Sequence, residues 1–285
     1  EGHEIKNELP NELTTEDKWI ISSFNRVAKE ITENLEKFEL GIAAQKIYDF
    51  LWDVFCDWYI EIAKIRMNSD DAQTAQNARE VLVWVMTGTL KLLHPFMPFI
   101  TEEIWQTLPH EGDALIVAQW PEYRQEHDFP EAELEMQRIM DVIRGVRNRR
   151  AEMNVPPSRK TNLYIATAEP NTFENGISIL NKLAYATQIT IGQAFDIEGA
   201  VTIVTNDAKV YIPMDELVDK KAELARLNKE LETAKKQFAQ VNGKLNNQGF
   251  LSKAPAQVVE GVKKDFETLT ERIQLIESSI SALQS

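Results

Sequence analysis

The sequence is short of cysteine, since Cys56 is the single one in 285 residues. One cysteine excludes an internal disulfide framework and a zinc site built from several cysteines. The chain also lacks a run of about 18 uncharged apolar residues, which a membrane-spanning helix needs. Its first residues, Glu1–Pro10, are acidic and polar, unlike a signal peptide. We therefore expect a cytoplasmic protein with no membrane partner.

The sequence also lacks a recognisable catalytic set. It has no glycine-rich phosphate loop and no G-x-S-x-G motif. A position at a helix end explains His94 better than catalysis, and the adjacent Glu102 and Glu103 suit the first turn of a helix. The four histidines are scattered, at His3, His94, His110 and His127. We therefore predict no catalytic residue, no metal site and no cofactor within this chain.

Positive charge is scarce overall, and the net charge is −14. The deficit is local, because residues 1–140 carry 12 Lys and Arg against 27 Asp and Glu, whereas residues 141–285 carry 19 against 18. A protein that binds nucleic acid needs positive charge where it touches the phosphates, not a basic total. The acidic composition therefore does not exclude an RNA partner.

Apolar residues at helical spacing fill the first part of the chain and predict an antiparallel helical bundle over residues 1–112. Thr14 and Asp17 form a predicted capping box on a first helix that Gly41 is expected to break. A second helix is predicted from Ala43 to Met67. A third helix follows a turn at 68–71. A fourth is predicted from Pro98 to Trp105. The predicted core stripes are Ile20, Phe24, Val27, Ile31, Leu35 and Phe38; Ile47, Leu51, Val54, Trp58, Ile62 and Ile65; and Ala78, Leu82, Val85, Thr89 and Leu92.

Aromatic residues in these helices are expected to pack in the core rather than to stack on bases. Trp52 and Tyr59 fall off the core stripe and are the candidate exceptions. Cys56 lies among aromatic neighbours, so a buried and inert thiol is expected.

Residues 113–213 differ in pattern and predict a small α/β module with about three strands. Gly199 and Asn206–Asp207 are turn signals between β-branched runs. The predicted helices are Ala132–Arg150 and Thr172–Tyr185. The β-like runs are Leu115–Gln119, Thr161–Ala168, Gln188–Phe195, Ala200–Thr205 and Lys209–Pro213.

The last part of the chain carries two heptad segments joined by Asn246–Pro255, which predicts an antiparallel coiled-coil hairpin over residues 214–285. Each helix of about 30 residues would extend roughly 45 Å. A hairpin this thin has little interior in which to bind a small ligand, so we expect a large partner. The heptad residues are Leu224, Leu227, Leu231, Ala234, Phe238, Val241 and Leu245, and then Val259, Val262, Phe266, Leu269, Ile273, Ile276, Ile280 and Leu283.

Two basic segments are the candidate contacts with RNA. Asp141–Lys160 holds six basic and two acidic residues, and Lys220–Lys264 holds ten and four. Arginine forks suit phosphate oxygens and stack on unpaired bases. A solvated helix face is the alternative for each segment, and Phe250, beside Leu251, would either stack on a base or plug the hairpin end. The candidate RNA-binding residues are Arg144, Arg147, Arg149, Arg150, Arg159, Lys160, Lys235, Lys236, Lys244, Phe250 and Lys253.

Five strings of the sequence are similar to the C-terminal region of class I tRNA synthetases. Thr15–Val27, Phe55–Ile62 and His94–Trp105 resemble the anticodon-binding bundle of the valine, isoleucine and leucine enzymes. Ile143–Lys160 and Gly243–Pro255 resemble segments of the bacterial valine enzymes, the latter at the turn of their C-terminal arm. The single cysteine argues against the cysteine-ligated zinc module in which isoleucyl enzymes often end.

The resemblance implies a mainly α protein that grips tRNA(Val) at two places. The bundle would contact the anticodon stem-loop, and the coiled coil would contact the outer corner where the D and T loops meet. The parent enzyme would attach valine to tRNA with ATP and magnesium, and would edit mischarged threonyl-tRNA. The HIGH and KMSKS signatures and the editing domain are absent. We therefore expect a monomeric fragment that binds no DNA and makes no valyl-adenylate.

Two alternatives stay open at this point. The first is the same region of an isoleucyl-type synthetase, because this region does not select the amino acid. The second is a coiled-coil scaffold for protein partners, for which apolar residues outside the heptad seam would be the sign.

Overall fold

The computed structural model describes residues 5–217, 220–246 and 256–284. The chain divides into two compact units, Glu1–Ile212 and Pro213–Ser285. The first unit contains the helical bundle and the four-stranded sheet, and the second contains a helical hairpin. The finer boundary between bundle and α/β module, near residue 112, stays a prediction. None of the helices in the described ranges is long and apolar enough to cross a membrane.

The bundle contains the predicted helices, with one turn in a different place. The capping box is present: the Thr14 side chain accepts a hydrogen bond from the Asp17 amide, and the Asp17 side chain accepts one from the Thr14 amide. The prediction that Gly41 ends the first helix is wrong: the chain turns at Phe38, whose φ is 59°, and Gly41 lies inside the next helix. The helices are α1 (Thr15–Glu36), α2 (Leu40–Asp49), a π-helix (Phe50–Tyr59), α3 (Ile60–Met67), α4 (Ala72–Leu93) and α5 (Pro98–Trp105).

The π-helix changes which residues of the second predicted helix face the core. A π-helix closes its hydrogen bonds over five residues instead of four, so the residues that follow are rotated relative to an α-helix. Tyr59, predicted to lie off the core stripe, is 0% exposed, whereas Leu51 is half-buried. Trp52 is 49% exposed, as expected for a residue off the stripe. The core residues of this segment are Phe50, Phe55, Trp58 and Tyr59.

A buried polar cluster ties the start of α1 to the end of α3. The Asp17 carboxylate is fully buried, accepts a hydrogen bond from Tyr59 Oη at 3.1 Å and pairs with Arg66 Nη1 at 2.6 Å. Arg66 Nη1 also donates to Thr14 Oγ1 at 2.9 Å. Burial raises the pKa of Tyr59 well above its usual value, and the Asp17 charge adds to the effect. Tyr59 therefore stays a hydrogen-bond donor to Asp17 at physiological pH.

The α/β module packs on a long helix, α6 (Pro130–Glu152). The predicted strand at Leu115–Gln119 is wrong: residues Leu115–Val117 form a 3-10 helix, held by the Leu115 amide donating to Glu102 at 2.9 Å. The predicted helix at 172–185 is two helices, because the chain bends at Gly176, where a Cβ would lie 2.5 Å from Ile139. The remaining elements are β1 (Thr161–Thr167), α7 (Pro170–Asn175), α8 (Ile177–Leu183), β2 (Ala186–Gly192), β3 (Ala200–Val204) and β4 (Ala208–Pro213).

The sheet has four strands, in the order β2-β1-β4-β3. Strand β1 pairs in parallel with β2, across the connection made by α7 and α8, and antiparallel with β4. Ile165 in the centre lies opposite Ile191 on one side and Val210 on the other. The β-branched runs of the sequence predict a sheet at nearly these positions, with about three strands.

The second unit contains α9 (Met214–Leu217), α10 (Lys220–Leu245) and α11 (Ala256–Gln284). Ala234 packs with Ile276, and Leu231 and Ile273 pack against this pair. Further along, the Phe238 and Phe266 rings lie 4.7 Å apart. Because residue numbers rise along one helix as they fall along the other, the two helices are antiparallel. The predicted coiled-coil hairpin is confirmed over the described residues.

We predict that Asp17→Asn lowers the free energy of unfolding by about 3 kcal/mol, because the Arg66 cation stays buried without its carboxylate. Urea denaturation followed by circular dichroism measures the change. Asp53→Asn, on the exposed face of the π-helix, is the matched control and should change the same quantity by less than about 0.5 kcal/mol. If Asp17→Asn lowers the free energy of unfolding no more than the control does, the Asp17–Arg66 pair does not stabilise the bundle as described.

We predict that Glu16→Gln stabilises the fold more at about pH 7 than at about pH 4. Burial raises the pKa of the Glu16 carboxyl although Arg66 Nη1 lies 3.6 Å away. The folded state holds this proton more tightly than the unfolded chain does, so ionised Glu16 opposes folding as the pH rises. Denaturant titrations at both pH values measure the difference, with exposed Glu12→Gln as control. A gain that does not depend on pH would reject this account.

Candidate nucleic-acid interface

Helix α6 carries the first group of predicted RNA-binding arginines, and the structure splits them between the surface and the interior. Arg144 is exposed, with its guanidinium 4.9 Å from the centre of the Trp58 ring and 3.2 Å from Asp141 Oδ1. Arg149 is exposed and pairs with Glu152 at 3.1 Å. Both ion pairs join neighbouring turns at the surface, where such pairs contribute at most about 1 kcal/mol. These two cations are therefore available to a phosphate.

Arg147 lies between the bundle and the α/β module. Its guanidinium is 5.7 Å from the Trp58 ring centre and 6.0 Å from that of Tyr185, and its Nε donates to Leu183 O at 2.8 Å. Tyr185 follows α8 with a φ of 56°, an unusual conformation for an aromatic residue. Arg147 is half-buried, so part of its side chain faces solvent. Its contacts with the two rings and with Leu183 help to hold the α/β module against the bundle.

Arg150 is a structural residue of this segment. It is 2% exposed and donates to Pro156 O at 3.0 Å, to Thr161 Oγ1 at 3.3 Å and to Arg159 O. These bonds fix the loop between α6 and β1. A buried guanidinium with these partners does not reach a phosphate, so Arg150 is not part of the candidate interface. Lys160 in that loop is exposed, and Arg159 is half-buried.

The hairpin places its lysines on the outside of the heptad seam. Lys235 pairs with Glu277 at 2.7 Å across the two helices, and Lys236 pairs with Glu232 at 2.8 Å along one helix. The hydrogen bond from Lys236 to Glu232 raises the pKa of Lys236, so this lysine is charged at neutral pH. Lys244 is exposed. Exposed pairs of this kind are weak, so phosphates can replace the carboxylates as partners. The predicted residues Phe250 and Lys253 lie outside the described residues.

Three aromatic side chains are exposed on one part of the bundle, and the sequence pattern predicts this for Trp52 but not for Phe38. Phe38, predicted to face the core, is 88% exposed. Along the solvent face of α2 and the π-helix, Tyr48 and Trp52 are about half exposed, with ring centres 6.3 Å apart. Helical spacing cannot reveal Phe38, because the residue lies in a turn rather than in α1. Exposed aromatic rings of this kind are suited to stacking on unpaired bases.

The remaining candidates form no catalytic or metal site in the described part of the chain. His94 Nδ1 lies 2.8 Å from Thr101 Oγ1, which links the end of α4 to α5. Burial, with the charge of Asp57, raises the pKa of the half-buried Cys56 thiol, so it is a poor nucleophile. Among the described residues, no three His, Cys, Asp or Glu side chains come together as metal ligands.

The chain matches two protein families in tandem. Residues 17–165 match the family described as the anticodon-binding domain of tRNA ligase. Residues 219–284 match the family described as the valyl tRNA synthetase tRNA binding arm. The first match covers the bundle, α6 and most of β1, and the second covers the hairpin.

Whole-chain relatives are valine–tRNA ligases of bacteria. The chain is 42% identical over 277 residues to that of Clostridium acetobutylicum, covering 96% of this chain and 31% of the relative. It is 41% identical to that of Listeria monocytogenes, covering 95% and 31%, and 37% identical to that of Bacillus subtilis, covering 94% and 31%. The chain thus spans about a third of the length of these relatives. It belongs to the tRNA ligase family that carries this anticodon-binding domain, and it matches the C-terminal region of the valine enzymes.

Proposed function

We propose that this chain is the tRNA-binding part of a valine–tRNA ligase. It would hold tRNA(Val) through the bundle and through the hairpin, and so place the acceptor end in a catalytic site carried by the rest of the enzyme. Such orientation supplies a large share of many rate enhancements, because it removes the need to find the reactive geometry by diffusion. The activity of the whole enzyme would be the ATP- and magnesium-dependent attachment of valine.

One observation carries this proposal. An anticodon-binding domain is followed in the same chain by a tRNA-binding arm, and the arm is an antiparallel coiled coil with lysines on its outer surface. The seam residues between Leu231 and Phe238 pack on those between Phe266 and Ile276 and hold the two helices together. Its polar exterior is what a partner meets, and Lys220–Lys264 carries six more basic than acidic residues. A polyanion is the partner that this charge favours.

On the bundle, the proposed contacts are aromatic rather than electrostatic. Residues 1–140 are strongly acidic, so phosphates would be repelled from much of this surface. Phe38, Tyr48 and Trp52 offer ring faces to unpaired bases, such as those of an anticodon loop. Arg144, over Trp58, adds a cation at the surface. We propose that the bundle binds the loop by stacking and that the hairpin supplies most of the phosphate contacts.

The scaffold alternative is less well supported. Among the described side chains of the second unit, Leu275 at 68% and Met214 at 50% are the large apolar ones with high exposure, and they lie far apart in the sequence. A partner helix would need a stripe of such residues. An isoleucyl-type parent is disfavoured by the match to the valyl arm, and aminoacylation by the full-length parent distinguishes the two. We further propose a cytoplasmic monomer, which the single cysteine suits.

We predict that Lys235→Gln, Lys236→Gln and Lys244→Gln together weaken tRNA binding and flatten its salt dependence. Each phosphate that is no longer neutralised by a lysine should lower the slope of log K against log salt by about 0.7 to 0.9. Filter binding across a salt series measures both quantities. The control carries Lys64→Gln, Lys182→Gln and Lys209→Gln, the same charge change at exposed sites outside both basic segments. Equal effects in the two triple variants would indicate a general charge effect and reject the hairpin's role.

We predict that Phe38→Asn weakens binding of an anticodon stem-loop RNA by about 1 to 3 kcal/mol, roughly fivefold to 150-fold. Asparagine tolerates the positive φ at this position, so the turn should be kept while the ring is removed. Phe99→Asn, at a side chain 90% exposed elsewhere on the bundle, is the matched control. Fluorescence anisotropy measures the affinity. Unchanged affinity for Phe38→Asn would exclude stacking at this turn.

A further inference from the structure

The bundle exposes a second apolar surface that the proposed RNA contacts do not use. The α4–α5 turn, the first turn of α5 and the 3-10 helix present five large apolar side chains to solvent, which we call the apolar patch. Met97 is 52% exposed, Phe99 90%, Ile100 49%, Ile116 74% and Val117 76%. Soluble monomers rarely leave a contiguous apolar surface of this kind uncovered unless it binds something.

The apolar patch is held rigidly from below. The Thr101 hydroxyl donates to Met97 O at 2.9 Å, which fixes the turn into α5. Glu102 accepts from the Leu115 amide at 2.9 Å, and Gln106 donates to Asp113 O at 3.0 Å. These bonds dock the 3-10 helix on α5, and Leu115 is buried with Leu90 and Trp105 beneath it. A surface ordered before binding loses little entropy when it docks.

A groove borders the apolar patch at Ile116. The groove has a volume of about 350 Å³, and Pro98, Leu115 and Ile116 are among the residues of its wall. A larger cavity of about 660 Å³ shares Lys91, Ala118 and Trp120 with this wall. Residues 5–8 line the larger cavity, and Asn7 Oδ1 accepts from the Thr87 hydroxyl at 2.9 Å. The polypeptide therefore enters the bundle next to the apolar patch.

Trp105 gives a second indication that this region has an occupant. The residue is 1% exposed and lines the larger cavity. Its Nε1–H is buried and has no hydrogen-bond partner among the described residues. A buried indole donor normally finds an acceptor. An approaching backbone or side-chain oxygen would supply one.

We propose that the apolar patch is the docking site of the preceding, catalytic part of the same polypeptide in the full-length enzyme. This inference rests on the proposed function, which makes the chain the C-terminal third of a longer ligase. The relatives carry about two thirds of their length outside the matched region, and the chain enters beside the patch. Covalent linkage gives this occupant a high effective concentration.

The charges around the patch argue against RNA as the occupant. Glu102, Glu103, Glu111 and Asp113 all lie in α5 or in the segment that follows it. These four carboxylates outnumber Lys91 and His94 of the groove wall, so the surroundings repel phosphates, and the five patch side chains offer no cation. An apolar protein surface with a polar rim is the complementary partner. Docking there would fix the angle between the bundle and the catalytic part, so that a tRNA held by one is presented to the other.

The test compares the accessibility of the patch in this chain and in the full-length parent. In a Cys56→Ala background, Phe99→Cys and Val117→Cys each place one thiol of this region at a side of the patch, and labelling is measured by mass spectrometry on the peptide that carries that thiol. Leu134→Cys, at a side chain 52% exposed on α6, is the control. The proposal expects both patch thiols to react with a maleimide at least about tenfold more slowly in the full-length protein than in this chain. The control thiol should react at the same rate in both proteins.

Equal rates for the patch thiols in the two proteins would overturn the proposal. Slow labelling in this chain that speeds up on dilution would identify a second copy as the occupant, and would also overturn it. Neither outcome touches tRNA binding, which the filter assay on this chain measures independently. Failure of this chain to bind tRNA, with protected patch thiols in the full-length protein, would reject the proposed function and leave the docking surface in place.

Discussion

The bundle depends on the buried pair formed by Asp17 and Arg66. Two charges taken out of water are costly unless each is fully partnered. Here the carboxylate has the Thr14 amide, the Tyr59 hydroxyl and the Arg66 guanidinium around it. The cluster closes the start of α1 onto the end of α3, and the capping box of α1 is part of it. The local signal that begins the helix is therefore also a tertiary contact.

The geometry of that pair constrains the rest of the second helical segment. Tyr59 is the last residue of the π-helix and Arg66 lies in the second turn of α3, so both must face α1. The π-helix orients both side chains toward α1, whereas Tyr48 and Trp52 stay at the surface. Trp58, from the same segment, packs under Arg144 and Arg147. The placement of the proposed interface is thus determined by the core beneath it.

Basic residues that look alike in the sequence have different roles in the fold. Arg144, Arg147 and Arg150 are spaced by three along α6, yet one is exposed, one is half-buried and one is buried. The difference arises because the α/β module covers one side of the helix. Arg147 and Arg150 hold that module through Leu183 and the loop before β1. Charge counting finds the segment, whereas the packing of the module decides which cations remain for a partner.

Much of the architecture follows from sequence periodicity, and the exceptions have local physical causes. Heptads predicted the hairpin because its seam needs nothing beyond its own two helices. The strand predicted at Leu115–Gln119 does not form, because the strands of the sheet lie at 161–213 and none of them pairs with this run. The run forms a 3-10 helix instead, and Leu115 packs on Trp105. The exposed apolar sites leave no such periodic signal in the sequence. Phe38, Phe99 and Ile116 are apolar residues at the surface, and composition alone treats such residues as core.

The ten-residue π-helix gives the bundle a tolerance to chain length at one place. Its hydrogen bonds close over five residues instead of four, so it accommodates one more residue than an α-helix would between the same neighbours. Losing a single residue between Phe50 and Tyr59 would therefore let the segment adopt ordinary α-helical bonding while Arg66 keeps facing Asp17. A loss within α3, before Arg66, has no such reserve, because the residues that follow would rotate by about 100° about the helix axis. Natural variation in length should therefore be tolerated in the π-helix and not in α3.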